Sequence, residues 1–368
     1  MNSETAFFVF GLIALGIALQ KIIVFFILEL RFKRVPEISS DELPHVAILI
    51  PARNEADNLP RCLESLLCLD YPYEHIEIWV GNDQSTDATG EIANDYAQQY
   101  ECIQVLDIQP EYYGLTARSN VLAQLAKKAG HDLLVFLDAD MEVSPGWLTD
   151  MVMPTTQGFD LVSGYTEVEG KGLLAQFQKS DWRNVITFLK AGADIGLPGT
   201  ALGNNMLVTR KAYEAVGGYE RIGPTFTEDN DLTLAAVKKG FKLFQLLVPE
   251  GASTQPMKSW RELKKQRNRW MQGAFRQPLL RLIPFMIARV FVLIGLIAAF
   301  FDPTIAIMLV GFVSMVDIIL SLAVSSFLKK YHPFYIALFA PVFNSILDTF
   351  TLLSYPWNKQ VVWKGRKL

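Results

Sequence analysis

The sequence predicts an α/β domain on a mostly parallel sheet with helices on both faces, set between N- and C-terminal transmembrane helices. Three observations predict it. Short apolar, β-prone runs alternate four times with helical patterns between residues 45 and 255. Hydrophobic residues make up 51% of the 368, and the excess is concentrated at the two ends. Three acidic or amide-rich loops follow strand-like runs, the edge at which open sheets of this kind bind ligands.

The first element is "AFFVFGLIALGIALQKIIVFFIL", residues 6–28, long enough to cross a bilayer as a helix. It lacks a basic leader and a small-residue cleavage site, so a retained anchor is expected. Lys21 either snorkels toward a headgroup or faces a protein neighbour. Arg31, Lys33 and Arg34 follow the segment, which places the chain after residue 30 in the cytoplasm by the positive-inside rule. The expectation is an integral protein of the inner or plasma membrane.

Residues 45–255 read as a cytoplasmic α/β domain. "HVAILIPA" is a strand, "NLPRCLESLLCL" a helix with Leu59, Leu63, Leu66 and Leu67 on one stripe, and "IEIWVGND" a second strand. "TDATGEIANDYAQQY" is a helix capped by Thr86 or Asp87. "IQVLDI" is a third strand, "ARSNVLAQLAKKAG" a helix closed by Gly130, and "DLLVFLDAD" a fourth strand. The loops "PARNE" (51–55), "GNDQSTD" (81–87) and "DAD" (138–140) then share one sheet edge.

Two carboxylates one residue apart, Asp138 and Asp140, after a buried run are costly unless paired or bound to a cation. Oxygen donors of this kind suit Mg2+ or Mn2+ completed by substrate phosphates. Neither Gly-rich phosphate-loop pattern is present, so a nucleotide's phosphates would be neutralised through such a cation. "TEDND" places Glu228, Asp229 and Asp231 ahead of a helical pattern, as helix-capping acids or as a general base.

Residues 258–282 carry many Lys and Arg and one acid, Glu262, with Trp260, Leu263, Trp270 and Phe275 as apolar bulk. That pattern is an amphipathic interfacial helix. Its "QRNRW" stretch adjoins a Trp to an Arg suited to a diphosphate. Residues 283–355 hold three apolar stretches, 283–301, 304–327 and 333–355, broken at Asp302-Pro303 and at "LKKYHP". The basic tail 356–368 favours the cytoplasm, so two of the three stretches are expected to span; the third, with Pro341, Asn344 and Asp348, is expected to be re-entrant or interfacial. A net charge of −4 argues against a nucleic-acid partner, and three cysteines make neither a disulfide framework nor a metal-ligand spacing.

In this order and spacing, "PARNE", "GNDQSTD", "DAD", "TED" and "QRNRW" resemble the membrane-bound family-2 glycosyltransferases of the GT-A fold, over residues 45–275. The ending "VVWKGRKL" is similar to the tails of the lipid-modifying branch, which includes ceramide glucosyltransferases and bacterial lipid and carotenoid glycosyltransferases.

The resemblance implies an inverting transfer from a nucleotide-diphosphate sugar, commonly a UDP-sugar, to a lipid hydroxyl. It puts Pro51, Arg53, Glu55 and Asp83 in the nucleoside pocket, and Asp138 beside the ribose and donor sugar. Asp140, with Asp138, would hold the metal. Asp229 would be the base, with Glu228 beside it. Gln266, Arg269 and Trp270 would hold the diphosphate and acceptor, and Gly203, Asn204 and Asn205 would touch donor sugar and acceptor. Asn120 matches the family's donor-binding loop, but in "GLTARSN" Arg118 stands where many relatives carry Lys. A processive polysaccharide synthase is the main rival, with too few spans for a channel in a monomer. A non-catalytic nucleotide-sugar binding protein would have no need of an intact Asp140, Asp229 and "QRNRW". A channel needs paired intramembrane acids, for which only Asp317 and Asp348 are candidates.

Overall fold

The computed structural model describes residues 3–37, 43–225, 227–274, 291–294, 303–331, 333–354, 362–363 and 366–367. Most of the first C-terminal apolar stretch, the end of the interfacial segment and most of the basic tail lie outside them. The chain divides into two compact units. One holds residues 33–167, 192–255 and 360–368; the other holds 1–32, 168–191 and 256–359.

The first unit is the α/β domain. Strands β1 (Val46–Ala52), β2 (Ile76–Asn82), β3 (Ile103–Asp107) and β4 (Leu133–Leu137) form where the apolar runs predicted them. Every residue of β1 and β4 is buried, as expected for central parallel strands. With β6 (Leu161–Ser163), β8 (Asn205–Thr209) and β9 (Leu243–Gln245) they make a seven-stranded sheet in the order β3-β2-β1-β4-β8-β6-β9. The sheet is mostly parallel, with β8 antiparallel to both β4 and β6. That reversal sets Asn205, at the start of β8, opposite Leu137 at the end of β4, so the segment before β8 joins the carboxyl edge. β5 (Met141–Val143), β10 (Ala252–Thr254) and β7 (Thr166–Val168) form a small second sheet.

Helices α2 (Leu59–Leu66), α3 (Thr89–Gln99), α4 (Ala117–Lys128) and α5 (Trp147–Thr156) follow the strands, with α4 packed on β1 and β2 and α5 on β6 and β8. Helices α7 (Arg210–Val216), α8 (Gly218–Ile222) and α9 (Glu228–Lys238) close the unit. Two expected caps are corrected. α3 opens after Ala88, and Asp87 instead accepts from the Thr89 N–H at 3.0 Å. α4 ends at Lys128 with Ala129 as its C-cap; Gly130 is not left-handed, and its N–H donates to Glu77 Oε2 at 3.0 Å.

The second unit holds α1 (Ser3–Arg31), most of α6 (Leu173–Asp194), α10 (Trp260–Ala274), α11 (Pro303–Phe327) and α12 (Phe334–Ser354). Among the described residues, Gly11–Arg31 and Phe334–Leu353 are long and apolar enough to cross a bilayer. α11 opens at Pro303, where the sequence predicted a break. α12, the stretch expected to be re-entrant, is a continuous helix through Pro341. α1 packs on α11, and Lys21 pairs with Asp317. Lys21 thus faces a protein neighbour, which removes the cost of an unpaired charge on an apolar helix.

Candidate active site

The carboxyl edge of the sheet gathers the predicted loops. Pro51 is buried in β1 opposite Gly81, and the chain then turns through a left-handed Asn54 (φ 52°). A second left-handed residue, Gln84 (φ 52°), shapes the facing loop. Such backbone is sterically costly without glycine, and here it is fixed by bonds between the loops. Arg53 Nη1 donates to the Asp83 carbonyl at 2.6 Å, Asn54 Oδ1 accepts from the Thr86 N–H at 2.8 Å, and the Glu55 N–H donates to Thr89 Oγ1 at 2.7 Å. Glu55 Oε2 accepts from Asn58 Nδ2 at 2.8 Å, and Asp83 is almost fully buried.

Asp138 follows β4 directly and Asp140 lies two residues further on, in the turn that leads into β5. Asp138 N–H donates to the Asn204 carbonyl at 3.2 Å, and Arg61 Nη2 donates to the Asp140 carbonyl at 2.9 Å. Beneath them lies the buried Cys62. Burial first, then Asp140 and Asp138, hold its thiol well above the usual range.

Arg118 joins these loops. Its Nε donates to Asp138 Oδ1 at 2.8 Å, Nη1 to Glu228 Oε1 at 2.7 Å, and Nη2 to the Gly203 carbonyl at 2.6 Å. The sequence leaves open whether Arg118 replaces the family's Lys; here its fork is committed to three protein acceptors. The guanidinium spreads its donors over three nitrogens in a rigid plane, one for each acceptor, whereas an ammonium's three donors radiate from a single atom.

Asp229 sits in the first turn of α9. Its Oδ2 accepts from the Gly203 N–H at 2.8 Å and its Oδ1 from the Asn230 N–H at 2.8 Å. Gly203 must be glycine, because a Cβ there would lie 2.8 Å from the Asp229 Cβ. Burial first, and the Glu228 charge second, push the Asp229 carboxyl up to about 6, while Arg118 and the two N–H donors pull it down. Asp231 accepts from Thr225 Oγ1.

Two of the residues named for ligand contacts are buried, with their amides bonded inside the protein. Asn205 is fully buried; its Oδ1 accepts from Trp147 Nε1 at 3.0 Å, and its Nδ2 donates to the Tyr165 carbonyl at 3.2 Å. Asn120 is also buried, donating to the Gln109 carbonyl at 2.8 Å and accepting from Gln124 Nε2 at 3.1 Å. Both serve the fold, because a buried amide must satisfy both of its ends internally. Asn204 is half-buried beside Met141.

The family model for glycosyl transferase family 21 matches residues 8–368. The chain belongs to this family. The short motifs pointed to the family-2 pattern; the match along nearly the whole chain places it in family 21. Among the relatives of this family 21 protein is a beta-monoglucosyldiacylglycerol synthase of Nostoc sp., 28% identical over 246 residues, 64% of this chain and 50% of that protein. A poly-beta-1,6-N-acetyl-D-glucosamine synthase of Staphylococcus epidermidis is 26% identical over 267 residues, 68% of this chain and 60% of that protein. The chain spans about half the length of the first curated relatives it matches. A mannosyltransferase of Pyrobaculum calidifontis, solved with GDP-Man and Mn2+, superposes with a TM-score of 0.63 at 16% identity, over 97% of this chain and 99% of that one. The fold is GT-A, as the motifs implied.

Gln266, Arg269 and Trp270 of this family 21 chain lie on α10, in the second unit. Trp270 packs against Trp182 of α6, with ring centroids 5.1 Å apart, and the Arg267 guanidinium lies 4.9 Å from the Trp270 ring. Arg267, a motif residue without a role in the sequence reading, pairs with the buried Asp181 of α6. Burial works against its charge, but Asp181 and then Asp348 of α12 raise its pKa overall. Asp181→Asn is expected to destabilise this unit by about 3 kcal/mol, the cost of breaking a buried pair. The Asp181→Asn/Arg267→Met double variant should recover part of the loss, read as the melting temperature in detergent.

Proposed function

We propose that this protein transfers a sugar from a nucleotide-diphosphate sugar to a hydroxyl of a membrane lipid, with inversion at the anomeric carbon. One observation carries the reading. Asp229 and Asp138 belong to one bonded network, in which Gly203 donates to Asp229 and accepts from Arg118, and Arg118 donates to Asp138. A candidate base and a candidate metal carboxylate are thereby held in fixed relation.

Asp138 and Asp140 fit a divalent cation, Mg2+ or Mn2+. They offer hard oxygen donors from one turn, and among the described residues no cluster of three His, Cys, Asp or Glu could hold a metal ion. A cation held by one or two carboxylates completes its shell with substrate phosphates. When bound, it supplies neutralisation of the charge that develops on the leaving diphosphate. Asp229 takes the acceptor hydroxyl's proton as that oxygen bonds to the anomeric carbon and the bond to the diphosphate breaks. Arg53, Glu55 and Asp83 line the nucleoside side of the same edge. The roles of Gln266, Arg269 and Trp270 on diphosphate and acceptor rest on the motif.

The lipid acceptor is supported by the apolar helices, the basic α10 and the diacylglycerol-directed relative. Membrane residence with the α/β unit in the cytoplasm rests on the basic residues after α1. Detergent-purified protein with Mn2+, a panel of radiolabelled nucleotide sugars and a lipid extract tests this. Label in a discrete lipid band, lost with EDTA, is expected. Label in water-soluble, high-mass product would establish the polysaccharide-synthase reading instead. Asp140→Ala should abolish metal-dependent nucleotide binding, measured by calorimetry with and without Mn2+; unchanged binding would refute its place at the metal.

A further inference from the structure

We propose that the turn after α6, carrying Ile195 and Leu197, docks into the headgroup region of the bilayer, with Lys33 and Lys242 on the same surface. This rests on the membrane reading above and adds to it a lipid-contacting element of the α/β unit.

The turn is rigid. Gly196 is left-handed (φ 80°), its N–H donates to the Ala193 carbonyl at 3.1 Å, and the Leu197 N–H donates to the Gly192 carbonyl at 2.8 Å. This is a helix-terminating motif in which the residue in Leu197's place commonly packs back on the last helical turn. Here the position it would cover is Gly192, which has no side chain. Leu197 is left 71% exposed and Ile195 44% exposed, an apolar pair held outward by a fixed backbone.

Covalent connection and one hydrogen bond say what covers the pair. The Lys33 N–H donates to Asp194 Oδ2 at 3.3 Å, and Lys33 follows the last residue of α1, Arg31, by two positions. Two residues of chain reach at most about 7 Å and three at most about 11 Å. The turn therefore lies close to the point where the chain leaves the membrane helix, and the headgroup zone is itself about 5–7 Å deep. The charge is right for an anionic bilayer surface. Exposed Lys33 places its Nζ 5.6 Å from the Phe159 ring, and the next residue, Asp160, accepts from the N–H of exposed Lys242 at 3.2 Å.

The test uses the full chain with Cys68→Ser and Cys102→Ser, reconstituted in vesicles containing anionic lipid. A polarity-sensitive fluorophore is attached through Leu197→Cys, or through Leu15→Cys in α1 as the membrane reference. The Leu197 site is expected to emit to the blue of the free adduct in water, to be quenched by lipid spin-labelled near the headgroup, and to resist aqueous iodide by about threefold, as for a side chain at the acyl boundary. Shielding should weaken on neutral vesicles; equal shielding on both would remove the lysines from the surface. A Leu197 label as open to iodide as the free adduct, with the Leu15 label embedded, would overturn the docking surface and leave the membrane reading standing. A Leu15 label open to water would overturn both.

Discussion

Asp229→Asn is expected to lower sugar transfer by about 10²–10⁴-fold, the usual contribution of a positioned general base, while nucleotide binding is nearly unchanged. Asparagine keeps the shape of the side chain between Gly203 and Asn230 but cannot accept a proton. It also offers one acceptor to two N–H donors, a local cost of about 1 kcal/mol. Against that cost, the change removes a charge that burial and Glu228 disfavour.

The signs can be checked by pH. The folded pKa, about 6, is raised above the ordinary carboxyl value of 3.8. The stability this group contributes is therefore fully present below pH 3.8 and is lost as pH rises through 6. Asp229→Asn should melt higher than the parent at pH 8, and the gain should shrink as pH falls across that window. Activity runs the other way: the base must be ionised, so kcat should fall on the acid side of about pH 6. Glu228→Gln removes one cause of the raised value and should move that limb to lower pH. Near-normal turnover in Asp229→Asn would remove Asp229 from the role.

Arg118→Met is expected to damage stability and catalysis together. It leaves Glu228 and Asp138 without a counter-charge and the Gly203 carbonyl without its donor. Breaking a buried pair costs 3–5 kcal/mol, and about 3 is expected here, because Asp138 keeps 34% of its side-chain surface exposed. Turnover should fall by about 10², since Asp138 and, through Gly203, Asp229 lose their fixed relation and a 1 Å misplacement has that effect. Arg118 also pulls the Asp229 pKa down, so its loss should move the acid limb above pH 6. Arg118→Lys keeps the charge but cannot reach three acceptors from one nitrogen, and should rescue stability more than turnover. A normal pH profile and normal kcat in Arg118→Met, with only the melting temperature lowered, would reduce Arg118 to a structural brace.

Much of this was legible from local pattern. The runs "VAILIPA" and "LLVFL" became the buried β1 and β4, and the loops after β1, β2 and β4 reached one edge because parallel strands all point their carboxyl ends the same way. Gly203, Asp229 and Arg53 were named from motifs and fall on that edge. Asn120 and Asn205 were named from motifs too, yet turned inward. Nothing in a short motif tells a ligand-binding amide from one that satisfies buried carbonyls, because the difference lies in residues such as Trp147, 58 positions away.

By itself, the sequence determined the alternation of strands and helices, the apolar helices at both ends, the order of the acidic loops and membership of a glycosyltransferase family. These follow from hydrophobic periodicity and from residue types at fixed spacing, which are local properties. The tertiary structure alone decided the partners of the polar groups. Arg118 bonds Glu228, 110 residues away; Lys21 meets Asp317, 296 residues away; Gly203 brings its N–H to Asp229; and Asp194 accepts from the Lys33 N–H, 161 residues away. A polar side chain removed from water takes whichever partner the fold places within about 3 Å, so its role is set by packing between distant segments.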